Sequence, residues 1–427
     1  MRRKPLFPPP LDPKTGKRGK NHGQQKRTVV TVNGEVTLLR RWWSVASVSF
    51  APVDDLVDAQ HQSFSVGVRE MAAGLNCKHR GYESVAEQLA RTAQLEVSPE
   101  QLRLLITENG RDVARRQDSG ELLPSFQATD CKIPADAMAE ADAPPRSVAG
   151  ILGQKPITRF YVGVDGVMVP VITEAEKLLR RKKTLEKRRK CGKKCRPLPR
   201  LVKGAKGPYR EFKVVEFHDE GRKHSHQTRS ADLRNSVGIR IRRDALRLNF
   251  LKADERISIV DGATWIQTQL EESAAQLKLD GLGLDFYHFA ENVHKCRRLV
   301  FGPEAGQGNA WATELGDCFL EQGFEAGFEK LLAWQNTLTR GKKKLATRLI
   351  NYISDRRHML NFPEFRKWGW QIGSGPTEAR CKTTTYRLKA PGCRWNINNA
   401  RAIAALTTLK DSGQWQQYWQ LRTELAG

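Results

Sequence analysis

Phe160-Tyr-Val-Gly-Val-Asp165-Gly-Val-Met-Val-Pro170 is an apolar, β-branched run with one carboxylate in its middle. A strand buried on both faces reads this way, and an acid inside it needs something to bind. Asp165-Gly166 is also a turn signal, so a hairpin tip is the competing reading. A second copy bears on the choice. Arg256-Ile-Ser-Ile-Val260 is another apolar strand, and it too runs into Asp-Gly, at Asp261-Gly262. Further on, Ile372-Gly-Ser-Gly-Pro-Thr-Glu378 opens a helix with a carboxylate in its first turn. Two strand-borne aspartates and a helix-borne glutamate suit a hard divalent cation. Such an ion takes oxygen ligands from a few carboxylates and keeps water or phosphate in its other positions.

Around these motifs the pattern alternates between strand and helix. Arg210 to Phe217 alternates as a strand, with Lys223 to Thr228 as its hairpin partner. Arg240 to Leu251 reads as a helix, Ile266 to Leu277 as another, and Leu282 to Leu284 as a short strand. The order predicts a mixed α/β sheet with helices packed over it. Residues 290 to 362 are helical by pattern, with Trp311, Phe319, Phe324, Phe328, Leu332 and Trp334 as core candidates. Glu378 returns to the sheet only after this helical insertion.

The chain has 427 residues, a formal net charge of +25 and a pI near 9.9. Such a charge favours a polyanionic partner, nucleic acid first. No run of about 18 apolar residues is present, so no membrane partner is expected. The eight cysteines are scattered, and only Cys191 and Cys195 are close together. That spacing makes no disulfide framework and leaves a zinc site two ligands short.

Before the central strand, residues 1 to 28 form a basic, Pro- and Gly-rich arm. Arg27 to Trp43 reads as a hairpin with Asn33-Gly34 as the turn. Residues 60 to 117 are helical. They are interrupted at Leu95-Glu-Val-Ser98-Pro99, where Ser98, Pro99 and Gln101 have the pattern of a capping box. Helix, turn and helix, with Arg111, Arg115 and Arg116 on the second, fit a helix-turn-helix DNA reader, which the whole-chain charge favours over a helical hairpin with a solvated face. Behind the central strand lie thirteen Lys and Arg between Lys177 and Arg200, a block expected to be a mobile loop or helix that binds DNA phosphates without sequence preference.

Four motifs in this order, Asp165-Gly, Asp261-Gly-Ala-Thr-Trp-Ile266, Leu284-Asp-Phe-Tyr-His288 and Ile372-Gly-Ser-Gly-Pro-Thr-Glu378, resemble bacterial insertion-sequence DDE transposases of the ISKra type, related to the Mutator-like superclass. Arg387-Leu-Lys-Ala-Pro-Gly-Cys-Arg-Trp395 and Trp415 to Trp419 agree, and the resemblance spans about residues 60 to 420. It implies an RNase H-like mixed sheet with helices on both faces, interrupted by an all-helical insertion and preceded by a helical DNA-binding region. Asp165, Asp261 and Glu378 would be the catalytic triad, holding two Mg²⁺ or Mn²⁺ ions, with Asp285 and His288 in support. Lys382, Arg387, Lys389 and Arg394, with Arg111 and Arg115, would grip DNA. Double-stranded DNA, both element ends and target, is the implied partner. A homodimer or larger assembly on it is the implied state, in the bacterial cytoplasm at the nucleoid. The expected divisions are 1–59 for arm and hairpin, 60–125 for the DNA-binding helices, 126–156 for a linker, 157–289 for the first part of the core, 290–367 for the insertion and 368–427 for the core's final helices. Relatives often carry a cysteine pair after an N-terminal aromatic pair. Here Trp42-Trp43 is followed by Ser44-Val-Ala-Ser47, so no zinc ribbon is expected. A non-catalytic DNA binder derived from a transposase, or an RNase H-type nuclease, are the alternatives.

Overall fold

The computed structural model describes residues 8–12, 15–45, 48–56, 63–133, 157–192, 195–231 and 235–424. The first seven residues, most of the expected linker, and Lys193 and Lys194 of the basic block lie outside the described residues. The chain divides into two compact units. One comprises Met1–Leu122, Tyr386–Lys410 and Gln414–Gly427, and the other Leu123–Thr385 with Asp411–Gly413.

In the first unit, β1 (Lys20–Thr31), β2 (Gly34–Val45) and β3 (Val48–Phe50) form an antiparallel sheet. Thr31 pairs with Gly34, so the turn is Val32-Asn33, one residue earlier than expected, and Gly34 opens β2 at a φ of +103°. Three helices follow: α1 (Val66–Asn76), α2 (Tyr82–Ala93) and α3 (Pro99–Ser119). The Ser98 hydroxyl accepts from Gln101 N, and the Gln101 side chain accepts from Ser98 N, with Pro99 in the first helical position. This is the capping box that the sequence predicts.

In the second unit, β4 (Arg159–Pro170) is the central strand. It runs unbroken through Asp165-Gly166, which pair with Val214 and Lys213 of β5 (Tyr209–Asp219), so the hairpin reading of this stretch does not hold. Between these strands stands α4 (Glu174–Cys191). Then come β6 (Ser225–Ser230), α5 (Asn235–Arg247), β7 (Glu255–Val260), α6 (Thr264–Glu271), α7 (Ala274–Leu277) and β8 (Gly281–Leu284). The sheet order is β6-β5-β4-β7-β8, with β4, β7 and β8 parallel and β5 antiparallel to both its neighbours.

The pleat sorts the side chains of β4. Phe160, Val162 and Val164 join Val215, Phe217 and the α5 residues Val237, Ile241 and Ala245 in one core. On the opposite face Tyr161 meets Ile257, Ile259, Phe365 and Trp370. Helices therefore cover both faces, which is why the strand carries almost no polar residue.

The helical run is α8 (Phe286–Phe301), α9 (Gly306–Glu321), α10 (Phe324–Thr337), α11 (Arg340–Ser354) and α12 (Phe362–Lys367). Phe319 is fully buried, while Trp311, Phe324, Phe328 and Trp334 pack partly buried against the same core. Leu332 is an exception: it is exposed, and Leu331 is buried instead. One residue is a rotation of about 100° on a helix, enough to exchange the inner and outer faces. Next comes α13 (Gly375–Thr385), the last helix of the second unit.

The closing helices α14 (Ile397–Asp411) and α15 (Trp415–Glu424) belong mostly to the first unit, not to the sheet as the expected 368–427 division has it. A Cβ on Gly110 of α3 would lie 2.3 Å from Ala402 O of α14, so only glycine permits this approach. Tyr418 and Arg422 of α15 donate to Asp112 of α3 at 3.0 and 3.2 Å.

Candidate active site

Asp165, Gly163 and Tyr161 alternate onto the face of β4 that α13 covers. Gly163 makes that cover possible. A Cβ there would lie 1.8 Å from Thr377 Oγ1, so the first turn of α13 rests on bare backbone. Thr377 precedes Glu378, and the close approach brings that carboxylate to the sheet. One turn on, the thiol of Cys381 hydrogen-bonds Asp165.

Asp261 arrives from the neighbouring strand. Arg159, Phe160 and Tyr161 pair with Glu255, Arg256 and Ile257, and Ser258 Oγ donates to Val162 O at 2.7 Å across a 96-residue offset. Asp165 and Asp261 share that offset, so they stand at matching heights on β4 and just beyond β7. Burial pushes the Asp165 carboxyl up and the charge of Asp261 adds to this, opposed by Cys381 and by Gly166 N. Asp261 is turned by its own loop: Oδ1 accepts from Ala263 N at 2.8 Å, and Gly262 has a φ of +73°.

Asp285 caps α8. Its Oδ1 accepts from Tyr287 N at 2.7 Å and His288 N at 3.1 Å, and its Oδ2 accepts from Ser374 N at 2.6 Å and from the Ser374 hydroxyl. Asp285 N also donates to Val260 O at 2.8 Å. One buried residue thus ties the end of β7, the start of α8 and the start of α13. Burial pushes its carboxyl up, but His288 and the Ser374 donors prevail and hold it at about 2.

Nδ1 of His288 lies 3.7 Å from Asp285 Oδ1 and 3.8 Å from Glu378 Oε1, too far for hydrogen bonds, and it has no hydrogen-bond partner although buried. Asp285 raises the imidazole to about 9 against the cost of burial, with Asp261 and Glu378 adding to the effect. Ligand atoms of Asp285, His288 and Glu378 all lie within 4.8 Å of one another. With four donors already on it, Asp285 has little lone-pair capacity left for a cation.

The helical insertion adds two residues with no local sequence signal. Arg356 Nε donates to Gly262 O at 3.0 Å, its NH1 donates to Tyr352 O at 3.0 Å, and its guanidinium lies 4.2 Å from the Tyr352 ring centroid. This clamps the Asp261 loop from α11. Cys381, by contrast, follows Glu378 by three residues on a helix, a spacing that shares a face and was available to sequence reasoning.

The expected DNA-gripping cations are dispersed. Lys382 is exposed in the second unit, 3.8 Å from Glu378 Oε2. The others belong to the first unit. Lys389 and Arg394 are exposed. Arg387 is only 4% exposed, its guanidinium between the rings of Tyr82 and Trp395 at 4.8 and 5.0 Å, an enclosure that leaves it little face for a phosphate. Arg111 donates to Asn399 at 2.8 Å, and Arg115 pairs with Asp112 and Glu121 at 3.1 and 2.8 Å. All eight cysteines are free thiols. Among the described residues no helix is long and apolar enough to cross a membrane.

No family model matches the chain, and no curated protein matches it in sequence. Among solved structures the chain is similar to the Drosophila P element transposase strand transfer complex, at 10% identity and a TM-score of 0.25, over 83% of this chain and 82% of that one. A likeness at that level carries no inference about activity.

Proposed function

We propose that the second unit is an RNase H-like nuclease core and that the protein is a DNA transposase acting by metal-dependent phosphoryl transfer. The strand order with one antiparallel neighbour supports the first part. What supports the second is that Asp261 bears electrostatically on both Asp165 and His288, while Glu378 Oε1 lies 3.8 Å from Nδ1 of His288. Oxygen-rich, half-buried and partly self-repelling, this set fits hard divalent cations. Asp165, Asp261 and Glu378 would hold them. Two such ions, when bound, supply Lewis-acid stabilisation and a more acidic water.

The chain's own part is positional. The Asp285 staple and the Gly163 contact hold α13, and hence Glu378, against β4. Arg356 fixes the Asp261 loop. In the reaction a water oxygen bonds to phosphorus at the element end, the bond from phosphorus to the 3′ oxygen breaks, and that oxygen takes up a proton. The freed 3′-hydroxyl oxygen then bonds to a phosphorus of target DNA at the same site, the target's own bond from that phosphorus to its 3′ oxygen breaks, and the released oxygen takes up the proton that the attacking hydroxyl gives up. Joining two ends calls for at least two copies of the chain.

The test is a supercoiled plasmid carrying the element's ends, incubated with Mg²⁺, Mn²⁺ or chelator. Nicking that needs the metal and disappears in Asp165→Asn supports the reading. Duplex binding by wild type without cleavage would leave a non-catalytic DNA binder, and cleavage confined to RNA–DNA hybrids would make it an RNase H-type nuclease.

A further inference from the structure

The helix α4 departs from the rest of the second unit: none of its eighteen residues is buried. It is nonetheless a built element. Thr173 caps it, with Glu176 reaching back to complete the box. It carries nine Lys and Arg against three Glu, and among the described residues none of the nine is in an ion pair.

Three of these cations are spent on the returning chain. Lys177 Nζ donates to Val202 O and Lys203 O at 2.9 and 3.0 Å, Arg181 NH1 to Pro199 O at 2.8 Å, and Arg188 NH1 to Arg196 O at 2.6 Å. Their spacings of four and seven put them on one helix face, and the partners descend in antiparallel order. The arm is therefore a helix strapped to its own return segment rather than a loose block.

Strapping that face leaves another stripe outward. Arg180, Lys183, Lys187 and Lys190 recur at spacings of three and four, so they line a single exposed face. Ten residues of helix give the stripe a length of about 15 Å. Glu174 and Glu176 lie in the first turn, and Glu186, three residues from Lys183 and four from Lys190, borders the stripe as one carboxylate beside four cations. A row of exposed cations on a helix complements a row of phosphates, contacts that position a duplex without carrying sequence information.

We infer that α4 is a duplex-gripping arm whose Arg180, Lys183, Lys187 and Lys190 stripe docks on the DNA phosphate backbone without regard to sequence. The inference rests on DNA being the substrate, as proposed above. The arm begins at Glu174, four residues past the end of the strand that carries Asp165, so the chain links the two directly.

The experiment compares wild type with a variant carrying Arg180→Gln, Lys183→Gln, Lys187→Gln and Lys190→Gln. Fluorescence anisotropy on an arbitrary duplex is read across a salt series. Each phosphate that is no longer neutralised lowers the slope of log affinity against log salt by about 0.9. The variant's slope should fall by about 2 to 4, and its affinity at low salt should fall about tenfold or more, equally for unrelated sequences. All four side chains are solvent-facing, so circular dichroism should be unchanged. An unchanged slope, with wild type binding DNA, would overturn the arm alone. Failure of wild type to bind any duplex would overturn the transposase reading with it. The exposed Leu178 and Leu185 on the same helix offer the rival role, self-association. A change of oligomeric state in Leu178→Ser/Leu185→Ser, with the quadruple variant's salt slope intact, would assign α4 to a chain-to-chain interface instead.

Discussion

At the scale of single residues, the site depends on what is missing as much as on what is present. Gly163 has no side chain where Thr377 needs the space. Gly163→Ala should therefore push the first turn of α13, and Glu378 with it, off the sheet. We expect a loss of about 1 to 3 kcal/mol in stability, read by denaturant melts, and a fall in cleavage larger than the melt accounts for. A variant as active as wild type would mean that α13 moves freely. Asp261→Asn should abolish cleavage while leaving duplex affinity within about twofold, because it removes a ligand and hardly alters a surface whose net charge is +25. Full activity in this variant would reduce Asp261 to a turn residue.

At the scale of elements, two packing knots set where helices lie. In the second unit Arg356, two residues past the end of α11 and bonded back to Tyr352 O, holds the Asp261 loop at Gly262 O. Arg356→Ala should weaken Mn²⁺ binding in a paramagnetic titration, and Arg356→Lys should not restore it, since an ammonium lacks the planar guanidinium that lies over the Tyr352 ring while its separate N–H groups reach Gly262 O and Tyr352 O. In the first unit Asp112 joins α3 to α15. Burial pushes its carboxyl up, but Arg115, Arg116, Arg422 and Tyr418 prevail and hold it below the usual aspartate range. A depressed carboxyl stabilises the fold above its unfolded pKa and loses that contribution as pH falls through its folded value. Asp112→Asn should therefore lower the melting temperature at pH 7, and the gap to wild type should close as the pH is brought below about 4. A gap independent of pH would show that shape, not charge, makes the knot.

At the scale of the whole molecule, the helical insertion shares its core with the sheet. Phe289, Phe319, Leu349, Ile353 and Phe362 belong to the same buried cluster as Val260, Ile266 and Leu284. Replacing residues 302–361 by a short Gly-Ser linker should thus expose apolar surface of the sheet unit and leave it unable to fold cooperatively. Hydrogen exchange on the intact chain should protect α8 and β7 to a similar degree. Independent opening of the insertion would make it a separate module.

By itself the sequence determined the elements and their order. Local rules suffice for those. The apolar run around Asp165 could only be a covered strand once its neighbours were apolar too, Ser98 and Gln101 spell a cap, and the three carboxylates sit within a strand, just past one and in the first turn of a helix. Tertiary structure alone decided which groups have lone pairs, faces or charges left over. Asp285 has a supporting role in the sequence reading, and its carboxylate is taken up by two donors of its own helix and two from Ser374, 89 residues on. Arg387 looks like a DNA contact but lies between two rings. Arg356 has no motif, yet it holds the loop of an aspartate about a hundred residues earlier. Chain order also gave no warning that α14 and α15 pack with the first helices, because the decisive contact is a glycine on α3 that admits the backbone of α14. Periodicity reports which face of an element is buried; what that face meets is fixed only when the chain closes on itself.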